Sequence, residues 1–504
     1  MKKTKIYLRF SLACFLIVLA SWTRWYFTGS LKADENYIEN NALALNFYIF
    51  SYFSGFFLLV HTYYKIIFRK EGYDLSLKET RTLSIIGNVI FFFMTVIFAS
   101  DIYTYLAEGE LATRGIFTYT NGELVKNSKF IEYVSFWWKD CPNHYGPPLL
   151  FMFYTSVFIG KSVMASYWTF KILLLISALL LTQVIFLILK DQNTQTKHNL
   201  YALIVLAPLF LIEGIGQTHV DLVITLFIAL FIYFYLKNRF FISLFFMAMA
   251  ISCKIMYGVI LIPLLIALLY VKFINVEKNI FKFLSNSAIA ISIIGIIVAI
   301  TYIPVWQGWE TILTPMEYHK NKTPCRSFTE LSILVYKFGG ELISNGFNIP
   351  KLLIDAHTKD FLSVQKILDY QKMIAPILKT IGFLLALWSA IPLLRIKDSK
   401  EVFHVFARLW IIIITIYSPI FNPWYFMPIL LLLLFTDIKS WMFYAIIVIS
   451  QSINGQLGNS TIPIGNLWEV LASIQVLTLV PLFLLYFKKH LIIEPYQSFK
   501  NLKK

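Results

Sequence analysis

The stretch IIGNVIFFFMTVIFASDIYTYLAEGE, residues 85–110, holds the two features on which the fold turns. Its first half is an unbroken apolar run that begins after Arg81 and stops at Ser100-Asp101. Its second half has helical spacing, with Ile102, Tyr105, Leu106 and then Leu111 on one face, yet carries Asp101, Glu108 and Glu110. Roughly 17–25 apolar residues span a bilayer core, whereas an amphipathic helix lies flat in the interface. The pattern therefore predicts a spanning helix over about 82–100 that delivers the chain to an interfacial helix over 101–115.

Working outward, apolar runs precede this one at about 6–27 and 45–68. The loop between them holds Asp34, Glu35 and Glu39 against one Lys, and the next holds Arg69, Lys70, Lys78 and Arg81. Short loops rich in Lys and Arg face the cytoplasm, so the N-terminus reads as inside and Asp101 as outside. Lys2, Lys3 and Lys5 before an apolar stretch could open a signal peptide. The stretch continues through Trp22 to Phe27, which favours an uncleaved helix.

Downstream, Phe130–Trp138 reads as a second interfacial helix, and 147–160 is short enough to be re-entrant. Further runs at about 166–190, 200–215, 221–237, 239–256, 257–272, 283–304, 373–394, 402–418, 424–436, 441–452 and 468–487 complete the set. The loops that would face inward carry Lys190 and Lys197, Lys237 and Arg239, Lys272, Lys278 and Lys282, then Arg395, Lys397 and Lys400. This is an all-α polytopic membrane protein of about 14 transmembrane helices, with both ends inside. Segments 100–165 and 306–372 are its two long extracytoplasmic stretches, and 1–504 reads as a single integral membrane domain.

Composition agrees. The chain is 58% hydrophobic and 14% charged, and its runs are continuously apolar rather than alternating as in a barrel. The net charge of +16 gathers in short loops, with no segment resembling a nucleic-acid-binding fold. There is no phosphate-binding Gly-rich Lys motif, no H-E-x-x-H, and no zinc-spaced set around Cys141 and His144. Cys14 and Cys253 lie in helices, while Cys141 and Cys325 lie in the two outer segments, where a disulfide is permitted.

The unusual polar residues collect on the outer side in this register. Asp101 ends the third helix, Tyr145 opens Tyr-Gly-Pro-Pro, and His219 and Asp221 lie in an outer turn. Lys254 sits near another helix end, Arg326 in the second long segment, and Tyr425 at a late helix start. Ionisable groups near membrane depth are costly and mark function by default. Each also has a plain alternative: Asp101 or Asp221 as a helix cap, Lys254 snorkelling to headgroups, Arg326 as a surface charge, Tyr425 as an interfacial anchor.

SDIYTYLAEGELATRGIFTY (100–119), YGPP (145–148), EGIGQTHVD (213–221), SCKIMYGVILIP (252–263) and NPWYFMPILLL (422–432) carry a family resemblance. In this order they resemble the GT-C superfamily of polyprenyl-phosphate-sugar-dependent glycosyltransferases. They look most like the bacterial α-mannosyltransferases and the catalytic subunit of the first GPI mannosyltransferase. The resemblance implies an outward-facing site in a bacterial inner membrane, with Asp101 as the catalytic carboxylate. Many relatives carry two acidic residues one apart there, whereas this chain has Asp101-Ile102-Tyr103. The resemblance therefore leaves Asp101 alone as the base, with no metal ligand assigned and no cofactor. It maps the family's outer turn onto His219 and Asp221 and its helix-end lysine onto Lys254. The partners implied are a polyprenyl-phosphate-sugar donor, a glycan or lipid-linked acceptor and membrane lipid, with no nucleic acid. A flippase for lipid-linked sugars, or a non-catalytic subunit of a glycan-assembly complex, is the alternative reading.

Overall fold

The computed structural model describes residues 2–28, 42–97, 101–135, 138–190, 197–320, 364–414 and 422–435. Among these residues there is helix and no strand. Six helical stretches are long and apolar enough to cross a membrane: Lys3–Tyr26, Val163–Lys190, Lys197–Gly216, Ile255–Val276, Ile280–Val305 and Ala375–Leu394. Four apolar helices are shorter: Pro147–Gly160, Asp221–Leu236, Phe240–Cys253 and Trp424–Phe435. The predicted runs at 441–452 and 468–487 lie outside the described residues.

The chain divides into two compact units. The first comprises Met1–Pro263 with Leu284–Asn321. It opens with α1 (Lys2–Thr28), which packs along α2 (Ala42–Ile67) and α3 (Leu77–Phe92). Ser76 and Glu79 form a reciprocal capping box at the start of α3, and Lys3 reaches Glu79 at 2.6 Å, fixing the entry of α3 against α1.

The third run stops being helical at Phe92 rather than continuing to residue 100. Its freed backbone groups find side chains instead. Trp22 Nε1 donates to Phe93 O at 2.8 Å, Arg24 to Ile97 O, and Gln217 Oε1 accepts from Ile97 N at 3.2 Å. Thr95 N and Oγ1 both bond Ser21, at 3.0 and 2.9 Å. A buried backbone group must be paired, but the partner need not belong to its own helix. Hydropathy cannot see such partners.

Helix α4 (Asp101–Thr113) forms where the sequence predicts it, but every residue from Ile102 to Leu111 is buried, so it is not a half-exposed interfacial helix. It packs on α5 (Pro147–Gly160), and Gly109 is the reason the two can close. A Cβ there would lie 2.4 Å from Phe153 O. Among the described residues of Phe130–Trp138, Ile131–Tyr133 is a 3₁₀ turn and not part of an α-helix. The apolar side chains of Phe130 and Val134 are nevertheless buried. A sharp turn at Lys161 (φ 61°) then folds α6 (Val163–Lys190) back along α5.

The predicted span 200–215 is broken in two. Pro208 cannot continue the hydrogen-bonding of α7 (Lys197–Val205), and the chain resumes as a π-helical segment, Phe210–Gly216. Helices α8 (Asp221–Leu236) and α9 (Phe240–Cys253) form a hairpin, followed by a 3₁₀ turn, Ile255–Tyr257, and α10 (Gly258–Tyr270). Helices α11 (Ile280–Tyr302) and α12 (Glu310–Lys320) supply the last described residues of this unit.

The second unit comprises Leu264–Phe283 with Lys322–Lys504. In it α13 (Val364–Ala390) packs against α14 (Ser399–Ile412), and Asn275 Nδ2 donates to Leu393 O and Ile396 O at 3.0 and 2.7 Å. A 3₁₀ turn, Pro423–Phe426, leads into α15 (Met427–Leu432).

Candidate active site

Asp101 stands at the first position of α4 with its side chain 15% exposed. Beside it, the turn after the π-helical segment holds His219, which is fully buried. His219 Nδ1 lies 3.6 Å from Asp101 Oδ2, and Nε2 lies 3.2 Å from Glu213 Oε2. The imidazole is therefore set between two carboxylates, one partly exposed and one wholly enclosed. Thr218 turns the chain into this position at φ 66°, a backbone conformation that a β-branched residue rarely adopts.

Asp221 begins α8 nearby. Its Oδ1 accepts from Tyr257 Oη at 2.7 Å, while its buried Oδ2 has no hydrogen-bond partner. Tyr105 senses both acids. Burial, then Tyr145, then Asp101 and, more weakly, Asp221 hold its phenol well above the usual tyrosine range.

Tyr105 Oη and Tyr145 Oη lie 3.1 Å apart, and Lys254 Nζ sits 5.6 Å over the Tyr145 ring. Lys254 occupies the break between α9 and the following 3₁₀ turn, with extended backbone. The Tyr-Gly-Pro-Pro stretch is docked onto that break. Gly146 N donates to Cys253 O at 2.8 Å, and a Cβ on Gly146 would lie 1.7 Å from Ser252 O. Only glycine fits such an approach, which explains why this motif follows a long polar segment and precedes a helix. The two tyrosines thus form a wall with carboxylates at one end and an ammonium at the other.

Next to Lys254 opens an apolar cavity of about 550 Å³, bounded by Ile251, Ile255, Val298, Tyr302, Trp306 and Trp309. Exposed isoleucines of α11, among them Ile296 and Ile300, continue from its rim. The rim also touches the first polar segment, since Gln307 meets Thr120 Oγ1 at 3.2 Å and Phe117 O at 3.5 Å.

Two ionisable residues that the motif reading passed over lie buried beside this cluster. One is Glu213. The other is Lys171, fully buried within α6, whose Nζ donates to Met94 O and lies 3.4 Å from both Phe91 O and Gly216 O. It ties the lead into Asp101 to the lead into His219. The available signal was simple: each is a lone charge inside an apolar run, where an unused charge is expensive. Glu108 and Glu110, the other acids of α4, are engaged elsewhere. Thr118 lies 2.7 Å from both Glu108 carboxylate oxygens, and Arg114 meets Glu110 at 2.9 Å. Among the described residues no group of three or more His, Cys, Asp or Glu is arranged to hold a metal ion, and His219 keeps its neighbouring acids on opposite sides.

Of the residues singled out from sequence, Asp101, His219, Asp221, Tyr145 and Lys254 come together in the first unit. Tyr425 belongs to the second unit, in the turn before α15, with Asn422 Nδ2 at 3.4 Å from its hydroxyl. Arg326 and Cys325 lie outside the described residues, so the disulfide expectation lies there too.

A helical membrane protein with a partly exposed carboxylate at a helix start and a lysine in a broken helix holds groups that suit group transfer. More particularly, a family described as alpha-(1->6)-mannopyranosyltransferase, N-terminal domain, matches residues 11–271 of the 504, and the chain belongs to that family. It is a membrane glycosyltransferase acting on mannose. No curated protein matches the chain.

Proposed function

We propose that the protein transfers mannose from a polyprenyl-phosphate carrier to a hydroxyl of a glycan or lipid-linked acceptor on the extracytoplasmic face. The observation that carries this reading is the tyrosine wall with Asp101 at one end and Lys254 at the other. Such a reaction needs a base at the acceptor and a cation at the leaving phosphate, several ångströms apart. Asp101 removes the acceptor proton as its oxygen attacks the anomeric carbon. The bond from that carbon to the phosphate oxygen breaks, and the electron pair stays on the phosphate beside Lys254. The apolar cavity next to Lys254 suits the carrier's isoprenoid chain, which would enter from the bilayer along α11. In a bacterial cell the proposed reaction would be carried out in the inner membrane.

Purified protein in detergent, given mannosyl phosphates on polyprenyl chains and a mannose-oligosaccharide acceptor, should form a mannosylated product. Asp101→Asn should lower turnover about 10²–10⁴-fold while the protein stays folded and still binds donor. Normal turnover in that variant removes the catalytic assignment. Donor lipid crossing a reconstituted bilayer without sugar transfer would establish the flippase reading instead.

A further inference from the structure

We infer that the apolar cavity beside Lys254 reads the lipid of the donor, and that Gly295 on α11 is its specificity-determining residue, leaving the width that a methyl-branched isoprenoid tail needs. The inference rests on the transfer reaction proposed above and adds which part of the carrier is recognised, and by what.

Gly295 is a glycine that no packing explains. It lies inside α11, between Ile280 and Tyr302. Glycine inside a helix is less favourable than alanine, and in membrane helices it usually marks a place where two backbones close. The fold has such places. A Cβ on Gly55 would lie 2.8 Å from Ala13 O, and one on Gly109 would lie 2.4 Å from Phe153 O. A Cβ on Gly295 would meet nothing within 4 Å among the described residues. What Gly295 borders is the cavity of about 550 Å³, with Ile291, Ile294 and Val298 beside it. Ligand pockets enclose roughly 300–1,000 Å³. The missing side chain keeps space open for an occupant, not for a neighbouring helix.

The cavity's chemistry is graded along its length, and this identifies the occupant. At one end Ile251 and Ile255 flank Lys254, whose Nζ sits 5.6 Å over the Tyr145 ring. Tyr302, in the cavity wall, reaches the same loop, its Oη 2.8 Å from where a Cβ on Gly146 would stand. That end offers a cation to a phosphate, and the remainder offers isoleucine, valine and aromatic surface to a hydrocarbon. Access agrees: Ile296 and Ile300 of α11 are 58% and 59% exposed beside the cavity, so a tail can enter sideways and continue into lipid. A phosphate ester of a long hydrocarbon satisfies both ends, whereas a free sugar phosphate would leave the apolar part empty. Gly295 lies about 10 Å of helix rise from Tyr302, so only a tail longer than that meets it. An isoprenoid tail carries a methyl branch at each repeat and is wider than a straight chain, which is where an absent side chain counts.

The test uses full-length protein in detergent and three mannosyl phosphates. One carries a single isoprene unit, one a long polyprenyl tail, and one a straight alkyl tail of the same length as the polyprenyl. A phenyl group at position 295 would fill the cavity. Gly295→Phe should therefore raise the KM of the polyprenyl donor at least about tenfold, with kcat within about twofold. The single-unit donor should be unchanged, because its tail ends short of residue 295, and the narrower alkyl donor should lose less than the polyprenyl one. Ile289→Phe, at an exposed position of the same helix outside the cavity wall, should change none of them. Partitioning of the longer tails into detergent is common to wild type and variant, so it cancels. Equal shifts for the polyprenyl donor and either of the others, no shift, or a fall in kcat alone overturns the inference. A structural phospholipid in the cavity, or another segment of this chain, would give one of these outcomes. If Gly295→Phe does not fold, Gly295→Leu is read by the same criteria. Wild-type protein inactive with every donor defeats the underlying function; active wild type with a tail-independent response to Gly295→Phe defeats this inference alone.

Discussion

At the scale of the residue, Asp101 and Lys254 should separate cleanly in kinetics. On the proposed mechanism Asp101 acts only when the proton moves, so its loss should fall on turnover. Lys254 faces a charge present on the carrier before and after reaction, so Lys254→Ala should raise the donor KM as well as lower kcat, read from initial rates at varied donor. Glu108 makes a second, independent prediction. Burial raises its carboxyl from 4.5 to about 8, although Thr118 works the other way. The folded state then binds more protons than the unfolded state between these values, so this contribution is fully present below pH 4.5 and is lost as pH rises to about 8. The melting temperature of wild type relative to Glu108→Gln should fall over that window, and a constant difference would refute the assignment. Sequence alone pointed to Asp101, His219 and Lys254 because each breaks an apolar pattern beside a turn. It passed over Glu213 and Lys171, which lie inside apolar runs and acquire meaning only when a distant helix end arrives beside them. No local pattern encodes that arrival.

At the scale of the element, helix existence was legible and helix ends were not. Continuous apolar runs placed α1, α2, α6, α8 and α11 closely. The third run kept its apolar character past Phe92 while its backbone turned away, because Trp22, Ser21, Arg24 and Lys171 supply donors and acceptors from other helices. Lys171→Met should therefore loosen the approach to Asp101. Leaving buried carbonyls without a donor costs roughly 1–3 kcal/mol, which should appear as a lower melting temperature and lower turnover together. Lys171→Arg keeps a hydrogen-bond donor and should lie between the two. The docking of Tyr-Gly-Pro-Pro on the broken helix is even less forgiving. In Gly146→Ala the new methyl would sit 1.7 Å from Ser252 O, and no side-chain rotation relieves a clash between two backbones. The loop must lift, carrying Tyr145 away from Lys254. A raised donor KM with a lowered melting temperature is the expected outcome, whereas Gly115, whose added methyl would meet nothing within 4 Å, serves as the control for glycine loss at another site. Its φ of 71° still strains an alanine there, so the comparison rests on KM rather than on stability.

At the scale of the whole molecule, the open question is which side of the bilayer the site faces, and the fold sharpens the charge argument that sequence began. Helix α8 has 16 residues, about 24 Å of rise, and α9 returns beside it, so the hairpin brings Lys254 back to the end where Asp221 started. Tyr257 bonding Asp221 closes that end. The hairpin's turn, with Lys237, Asn238 and Arg239 exposed, therefore lies at the opposite end from the site. The proposal has this basic turn in the cytoplasm, as the positive-inside pattern predicts, and so has Asp101, Lys254 and the polar segment after α4 outside. Segment 306–320 is held to that same end by Gln307, so it shares the compartment. Single cysteines test this directly, on a background with Cys325 replaced and with the buried Cys14, Cys141 and Cys253 retained. Glu123→Cys, exposed beside the site, should react with an impermeant maleimide on intact cells. Asn238→Cys and Lys278→Cys, in two different basic turns, should react only after the membrane is opened. Thr194, between Lys190 and Lys197 in the sequence, is predicted from those flanking lysines to behave as they do. Labelling of Asn238→Cys from outside would invert the hairpin and carry the site with it to the cytoplasm. The donor would then have to present its sugar on the inner leaflet, and the extracytoplasmic part of the proposal would fall while the chemistry at Asp101 could stand.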